Sequence, residues 1–210
     1  MSLTKIKFCG IRDIKTLKFC KEINVDAIGF VFYKKSLRNI SIKKAVLLSN
    51  LLKSSYIYKF AIVVKPKISF LKKIFKNINI DFLQFYGKEN KKIIDLCYKY
   101  KTNFLKVYKF NGKKDIDVIN KSKYNFVSVE KKNIGGTGKT INFNKNLLNI
   151  KKKIMISGGI NKKNIYYIVR KIKPFFLDIS SGIEKKGIKD RILMRSVLKE
   201  LSLSNIKNVY

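Results

Sequence analysis

Eight short apolar runs alternate with amphipathic stretches along this chain of 210 residues, and no other feature restricts its fold as much. Ile6–Cys9, Ala27–Phe32, Ile57–Val64, Phe82–Phe85, Phe104–Tyr108, Phe126–Val129, Ile154–Ile156 and Phe175–Ile179 read as strands. Between them the apolar residues change to helical spacing. Ile93, Leu96, Cys97 and Tyr100 fall at i, i+3, i+4 and i+7, as do Ile165, Ile168, Val169 and Ile172. Leu193, Val197 and Leu201 form a similar face near the C-terminus. The fifth and sixth helices are the least clearly marked. Strands alternating with helices imply an α/β fold with a parallel sheet. Eight such units close a (β/α)8 barrel. That fold typically takes roughly 250 residues, so the loops must be brief. No linker, composition break or low-complexity tract divides the chain, and residues 1–210 read as a single domain.

Four glycine-bearing segments follow four of these strands. They are Lys7-Phe8-Cys9-Gly10, Gly135 to Thr140, Ser157-Gly158-Gly159 and Asp178-Ile179-Ser180-Ser181-Gly182. A closed barrel gathers the ends of its strands at one rim, where such folds carry their chemistry. Strand alternation sets the directions of the side chains. Ile6 and Phe8 face one way, Lys7 and Cys9 the other. Phe175, Leu177 and Ile179 share a face, with Phe176, Asp178 and Ser180 opposite. With the apolar sets against the helices, Cys9 and Asp178 point inward near the rim.

Composition excludes several functions. The chain has no His, which removes Ser-His-Asp chemistry, Cys-His proteases and His-ligated metal sites together. Proton transfer then falls to Cys, Asp, Glu, Lys or Tyr. Cys9, Cys20 and Cys97 are odd in number and widely spaced, with no CxxC, so neither zinc nor a disulfide framework is indicated. That usage fits a reducing cytoplasm. The N-terminal residues do not read as a signal peptide, and no run approaches membrane-spanning length. The formal charge is +35, from 48 Lys and Arg against 13 Asp and Glu. A dedicated nucleic-acid protein would show clustered Arg and a docking motif. Here only five of the basic residues are Arg, and Lys is spread over almost every segment. Lys, Asn, Ile, Phe and Tyr share codons rich in A and T, a simpler source of the bias. Weak, salt-sensitive adhesion to polyanions is the expectation, not specific nucleic-acid binding. Gly135 to Thr140 is not a nucleotide P-loop, because the position five before Gly138 is Asn133.

In order along the chain, several segments together resemble the phosphoribosylanthranilate isomerases. They are Lys7 to Ile11, Asp26 to Tyr33, Ser36 to Ser41, Gln84 to Gly87, Gly135 to Thr140, Ser157 to Gly159, and Asp178 to Glu184 with Gly187, Lys189 and Asp190. The resemblance implies a cofactor-free (β/α)8 isomerase of tryptophan biosynthesis. It would convert N-(5-phosphoribosyl)anthranilate into 1-(2-carboxyphenylamino)-1-deoxyribulose 5-phosphate by an Amadori rearrangement. A general acid opens the ribose ring to a Schiff base, and a general base removes the C2 proton. Only protons move, so neither metal nor nucleotide is required.

The same resemblance assigns roles. Cys9 matches the general base. Lys7, two residues away on the same strand face, offers a cation that favours thiolate and is counted with the substrate-binding residues. Without the motif, such a cysteine would be read as a small buried hydrophobe, as Cys20 and Cys97 are. Glu130 ends the sixth strand where the family has its general acid, an Asp, and its side chain is one methylene longer. Arg38 matches the contact to the anthranilate carboxylate, which suits a guanidinium fork. Gly158, Gly159, Ser180, Ser181 and Gly182 match the phosphate site. A short helix starting near Ser180 would aim its positive end at that site. Asp178 matches a residue near the ribose hydroxyls. Gly135 to Thr140 reads as a mobile loop over the substrate. Tyr86 stands where the family commonly has His. The substrate is a small phosphorylated molecule, with no membrane partner, and the protein a monomer or homodimer. Two other readings stay open at this point. One is a related isomerase acting on another aminated ribose phosphate, against which Arg38 argues. The other is a basic protein that kept the barrel and lost turnover.

Overall fold

The computed structural model describes residues 3–130 and 145–206. Its eight long strands are β1 (Lys5–Cys9), β2 (Ala27–Val31), β3 (Tyr58–Val64), β4 (Phe82–Tyr86), β5 (Asn103–Lys109), β6 (Phe126–Glu130), β7 (Lys153–Ser157) and β8 (Phe176–Ile179). They follow one another in sequence order and close into a barrel. The helices are α1 (Ile14–Glu22), α2 (Ile42–Asn50), α3 (Ile68–Asn77), α4 (Lys91–Lys99), α5 (Lys113–Asn120), α6 (Ile165–Ile172) and α7 (Arg191–Ile206). The eight expected strands match these within one or two residues at each end, as boundaries read from a pattern should. In the sixth connection, residues 131–144 lie outside the described residues. Among the described ones there, only a 3-10 turn, Lys145–Asn149, is helical. A two-stranded hairpin, β9 (Glu184–Lys185) and β10 (Ile188–Lys189), stands between β8 and α7.

Local sequence explains the helix starts. Asp13, Ser41 and Asn90 each accept a hydrogen bond from the backbone N–H three residues on, satisfying donors that helix geometry leaves open. The expected faces are the buried ones. Ile93, Leu96 and Cys97 are buried on α4, and Ile165, Ile168 and Val169 on α6. On α7, Met194, Val197, Leu201 and Ser204 are buried, while Leu193 is half-buried.

The chain divides into two compact units. In the first, Lys7–Val107, β1 to β5 pair in parallel, with Cys9 opposite Gly29 and Gly29 opposite Phe60. Lys7 is fully buried, and its Nζ donates to Gln84 Oε1 at 2.7 Å, 5.0 Å from the Phe60 ring centroid. Since β1 and β4 are not neighbours, that bond crosses the space the strands enclose. Lys7, Gln84 and Phe60 therefore mark the inward face, while Ile6 and Phe8 face the helices.

The second unit holds Met1–Ile6 and Tyr108–Tyr210. Its first residues tie to the start of β8. Thr4 Oγ1 donates to the Pro174 carbonyl at 2.8 Å, and the Lys5 N–H to the Phe175 carbonyl at 3.0 Å. Phe126, Phe175 and Phe176 pack edge-on and tilted with centroids 5.3–6.2 Å apart. Phe176 lies on the inward face with Asp178, filling the interior below it.

A net charge of +35 opposes compaction by self-repulsion, which salt screens. Raising NaCl from low to moderate concentration is expected to raise the thermal midpoint by about 2–4 °C for each 1 kcal/mol relieved. Circular dichroism melts in a salt series check this, and a midpoint that falls with salt contradicts it.

Candidate active site

In the first unit the site residues gather at the end of β1. An ideal Cβ on Gly29 would lie 3.0 Å from Cys9 Sγ, 3.0 Å from Lys7 Cε and 2.8 Å from Ile62 Cδ1. These three side chains converge on the one strand position that has none. Any larger residue at position 29 would drive the sulfur and the lysine stem out of place. Cys9 is the last residue of β1 and is 9% exposed. Gly10 follows with φ of +81°, where L side chains are strained, and a Cβ there would meet the Arg38 stem at 2.7–3.1 Å. Arg38 is thereby laid against the Cys9–Gly10 turn. The loop that carries it is held by the Ile40 N–H donating to the Val31 carbonyl at 3.0 Å, and by Arg38 N–H to Ser36 Oγ at 3.1 Å. Tyr86 ends β4 on the same face as Gln84 and is half-buried.

In the second unit, strand register makes a row. Glu130 is the partner of Ser157, and Ser157 the partner of Asp178. Register partners on parallel strands point the same way. A carboxyl, a hydroxyl and a second carboxyl thus stand side by side at the ends of β6, β7 and β8. Glu130 is half-buried, Ser157 and Asp178 buried. Ser157 Oγ has no hydrogen-bond partner among the described residues.

Two turns close over this row. Gly158 and Gly159 take φ of +99° and +62°. Gly182 approaches the next loop so closely that a Cβ would sit 1.8 Å from the Ile160 carbonyl oxygen. The turn after β8 therefore rests on the backbone of the turn after β7. The helix expected near Ser180 is a three-residue 3-10 turn, Ser181–Ile183. It stops there because β9 begins at Glu184, and it is too short to build a helix dipole. Such a turn can still offer backbone N–H groups.

The hairpin behind this turn braces it. Lys186 and Gly187 both have positive φ, +50° and +77°, as a two-residue type I′ turn requires. The turn sets Lys189 opposite Glu184. Lys189 Nζ meets Glu184 Oε1 at 2.7 Å and donates to the Ser180 carbonyl at 3.1 Å. Both side chains are only 5% exposed, so each charge is matched where water is scarce. Asp190 Oδ1 accepts from the Leu193 N–H at 2.9 Å and starts α7. That bond, with the nearby Lys185, holds the Asp190 carboxyl below its ordinary value. Its contribution to stability is complete above that ordinary value and disappears as pH falls through the lowered one.

Sequence reasoning missed Gln84 as the partner of Lys7, Gly29 as the cleared position, and the Ser157 hydroxyl. All three lie inside quoted motifs, but only the register shows what they face. The loop Gly135 to Thr140 lies outside the described residues. Of the remaining cysteines, Cys97 is buried on α4, and burial pushes its thiol up to about 12. It stays a neutral apolar group. Two clefts of about 260 and 470 Å³ in the first unit lie at the opposite ends of the strands, near Phe75, Thr102, Asp26 and Ile57, and contain none of these residues.

Gly182→Ala forces a methyl into a backbone carbonyl, which no rotamer change relieves. The substitution is expected to separate the two turns and to destabilise the protein by about 2 kcal/mol or more, lowering the thermal midpoint. Circular dichroism melts of wild type and variant check this, and an unchanged midpoint refutes the close-packed arrangement.

The family model described as N-(5'phosphoribosyl)anthranilate (PRA) isomerase matches residues 6–200. An N-(5'-phosphoribosyl)anthranilate isomerase of Legionella pneumophila (strain Philadelphia 1) is 30% identical over 206 residues, spanning 95% of this chain and 98% of the relative. Among solved structures, phosphoribosyl anthranilate isomerase from Thermotoga maritima superposes with a TM-score of 0.82 at 26% identity, covering 95% of this chain and 99% of that one. A phosphoribosyl anthranilate isomerase in complex with reduced 1-(o-carboxyphenylamino)-1-deoxyribulose 5-phosphate has the same fold, with a TM-score of 0.79 at 24% identity over 95% of this chain and 99% of that one. With a family match over nearly its whole length and the strand order of that fold, the chain belongs to the N-(5'-phosphoribosyl)anthranilate isomerase family.

Proposed function

We propose that residues 1–210 act as one (β/α)8 enzyme that isomerises N-(5-phosphoribosyl)anthranilate to 1-(2-carboxyphenylamino)-1-deoxyribulose 5-phosphate, in tryptophan biosynthesis. The observation that carries this reading is the row of Glu130, Ser157 and Asp178 beside two interlocked glycine turns. An acid stands next to an anion grip, as a phosphorylated sugar with a basic ring oxygen needs.

In this reading Glu130, protonated, gives its proton to the ribose ring oxygen. The C1–O bond breaks and the anilino nitrogen supplies the electrons, leaving a Schiff base. Cys9, as thiolate, takes the C2 proton, and those electrons form the C1–C2 double bond of an enolamine. The enolamine then reprotonates at C1 as the C2 hydroxyl becomes the ketone. Lys7, whose stem borders the same cleared position at Gly29 as the sulfur, supplies the positive charge that favours thiolate. Arg38, laid on Gly10, takes the anthranilate carboxylate through its fork. Asp178 receives the ribose hydroxyls. The N–H groups of Gly158, Gly159, Ser181 and Gly182, with the Ser180 hydroxyl, take the phosphate. Every step moves protons only, so the reaction calls for no cofactor. The protein works as a monomer or homodimer, in the cytoplasm.

Glu130 differs from the shorter acid of its family by one methylene, and Ser157 beside it limits where that length can go. Glu130→Gln is expected to lower kcat by about a hundredfold or more with KM changed only severalfold, the range for losing a positioned acid. Cys9→Ser is expected to do the same. Following the fluorescence of freshly generated substrate with purified wild type and variants tests both. Wild-type kcat in Glu130→Gln removes that residue from the mechanism, and turnover of another aminoaldose but not the anthranilate compound overturns the substrate.

A further inference from the structure

A backbone turn can offer N–H groups to an anion only if its own carbonyls, the negative ends of the same peptides, are held elsewhere. In the turn after β7 two carbonyls are held. The Gly159 carbonyl accepts from Asn164 Nδ2 at 2.9 Å and from Asn161 Nδ2 at 3.1 Å. The Ile160 carbonyl lies against Gly182, where a Cβ would touch it. A trans peptide sets its N–H opposite its C=O. Fixing the Gly159 oxygen therefore fixes the direction of the Ile160 N–H. Neither Gly159 nor Ile160 donates its N–H in a backbone hydrogen bond outside the strands and helices among the described residues.

Asn164 does more than hold one oxygen. Its Oδ1 accepts from the Asn161 N–H at 2.9 Å, so both ends of one amide close the loop on itself. The side chain is 5% exposed and sits at the residue before α6, where its own N–H and that of Ile165 donate to the Asn161 carbonyl, both at 3.1 Å. Turn and helix are thus one rigid piece. A positive φ at both Gly158 and Gly159 permits the turn but leaves it many shapes. The buried amide selects one.

We propose that Asn164, assisted by Asn161, is a positioning residue for phosphate recognition. It touches no substrate atom. It holds the Gly159 carbonyl away from the anion and so presents the backbone N–H of Ile160. The inference rests on the reading above that this turn binds the phosphate of a sugar phosphate.

The test measures kcat, KM and the competitive inhibition constant of inorganic phosphate for wild type, Asn164→Ala, Asn164→Asp and Asn161→Ala. Asn164→Ala is expected to raise KM and the phosphate inhibition constant together by about tenfold, with kcat changed less than about threefold. Asn164→Asp keeps the acceptor for Asn161 but sets a carboxylate against the Gly159 oxygen, and is expected to weaken phosphate more than Ala does. Asn161→Ala removes one of two donors to Gly159 and should give a smaller effect in the same direction, which keeps the test open if position 164 variants fail to fold. If phosphate inhibits wild type and its constant is unchanged in Asn164→Ala and Asn161→Ala, or if only kcat and thermal midpoint fall, the positioning role is overturned. If phosphate does not compete with substrate in wild type, the phosphate reading itself is overturned.

Discussion

The pleat of a strand admits no choice about where alternate side chains go, and the site depends on that constraint. A residue at a strand end is committed to the inward face by the apolar residues on either side of it, because those must reach the helices. Phe8 commits Cys9, Val129 commits Glu130, and Leu177 commits Asp178. Each of these apolar neighbours is fully or almost fully buried. A one-residue slip in β6 or β8 would bury a carboxyl against a helix and turn a core side chain to the rim. The hydrophobic core therefore sets the direction of these rim side chains before any of them makes a contact of its own.

Direction alone does not fix reach, and here the small residues decide. Gly29 clears room for a sulfur and a lysine stem on the neighbouring strand. Gly10 lets an arginine lie flat on the turn beside that sulfur. Gly182 brings one turn onto the carbonyl of another. Each glycine substitutes close approach for a side-chain contact. The buried ammonium of Lys7 shows what the first arrangement costs. A charge with no exposure needs a strong acceptor and a polarisable neighbour, and Gln84 and Phe60 provide them. At Lys189 the acceptor is instead a carboxylate, that of Glu184.

How much of this was legible in the sequence follows from range. The strands were legible because a buried parallel strand is a run of apolar residues, and the eight runs need no tertiary information. Cys9, Glu130, Arg38 and Asp178 could be named because they end or follow such runs inside recognisable motifs. The short helix expected near Ser180 is a single 3-10 turn, Ser181–Ile183, and no local signal announces that Gly182 is pinned by Ile160. The bond from Lys7 to Gln84 spans two strands that do not pair, and nothing in either segment points to the other. Asn161 and Asn164 did leave a mark. Two asparagines three apart after a glycine pair, just before an apolar helical face, are a helix-start signal. Their second use, on the Gly159 carbonyl, is visible only in three dimensions.

The basic excess of this chain gives the two glycine turns a further meaning. Lysine is spread over nearly every segment, so side-chain charge near the site is a poor discriminator of where an anion should sit. The enclosed lysine nearest the Ser180 turn is already matched by Glu184. Backbone N–H groups are indifferent to such drift in composition, because no substitution short of proline removes them. A grip made from peptide groups, with its carbonyls tied back by amide side chains and by a neighbouring glycine, keeps its geometry while the surface around it becomes almost uniformly positive. In the proposed reading, the long-range field draws anions toward the molecule and the shape of two turns chooses among them. The turn after β7 is held by the uncharged amides of Asn161 and Asn164, and the turn after β8 by a lysine whose charge Glu184 already matches.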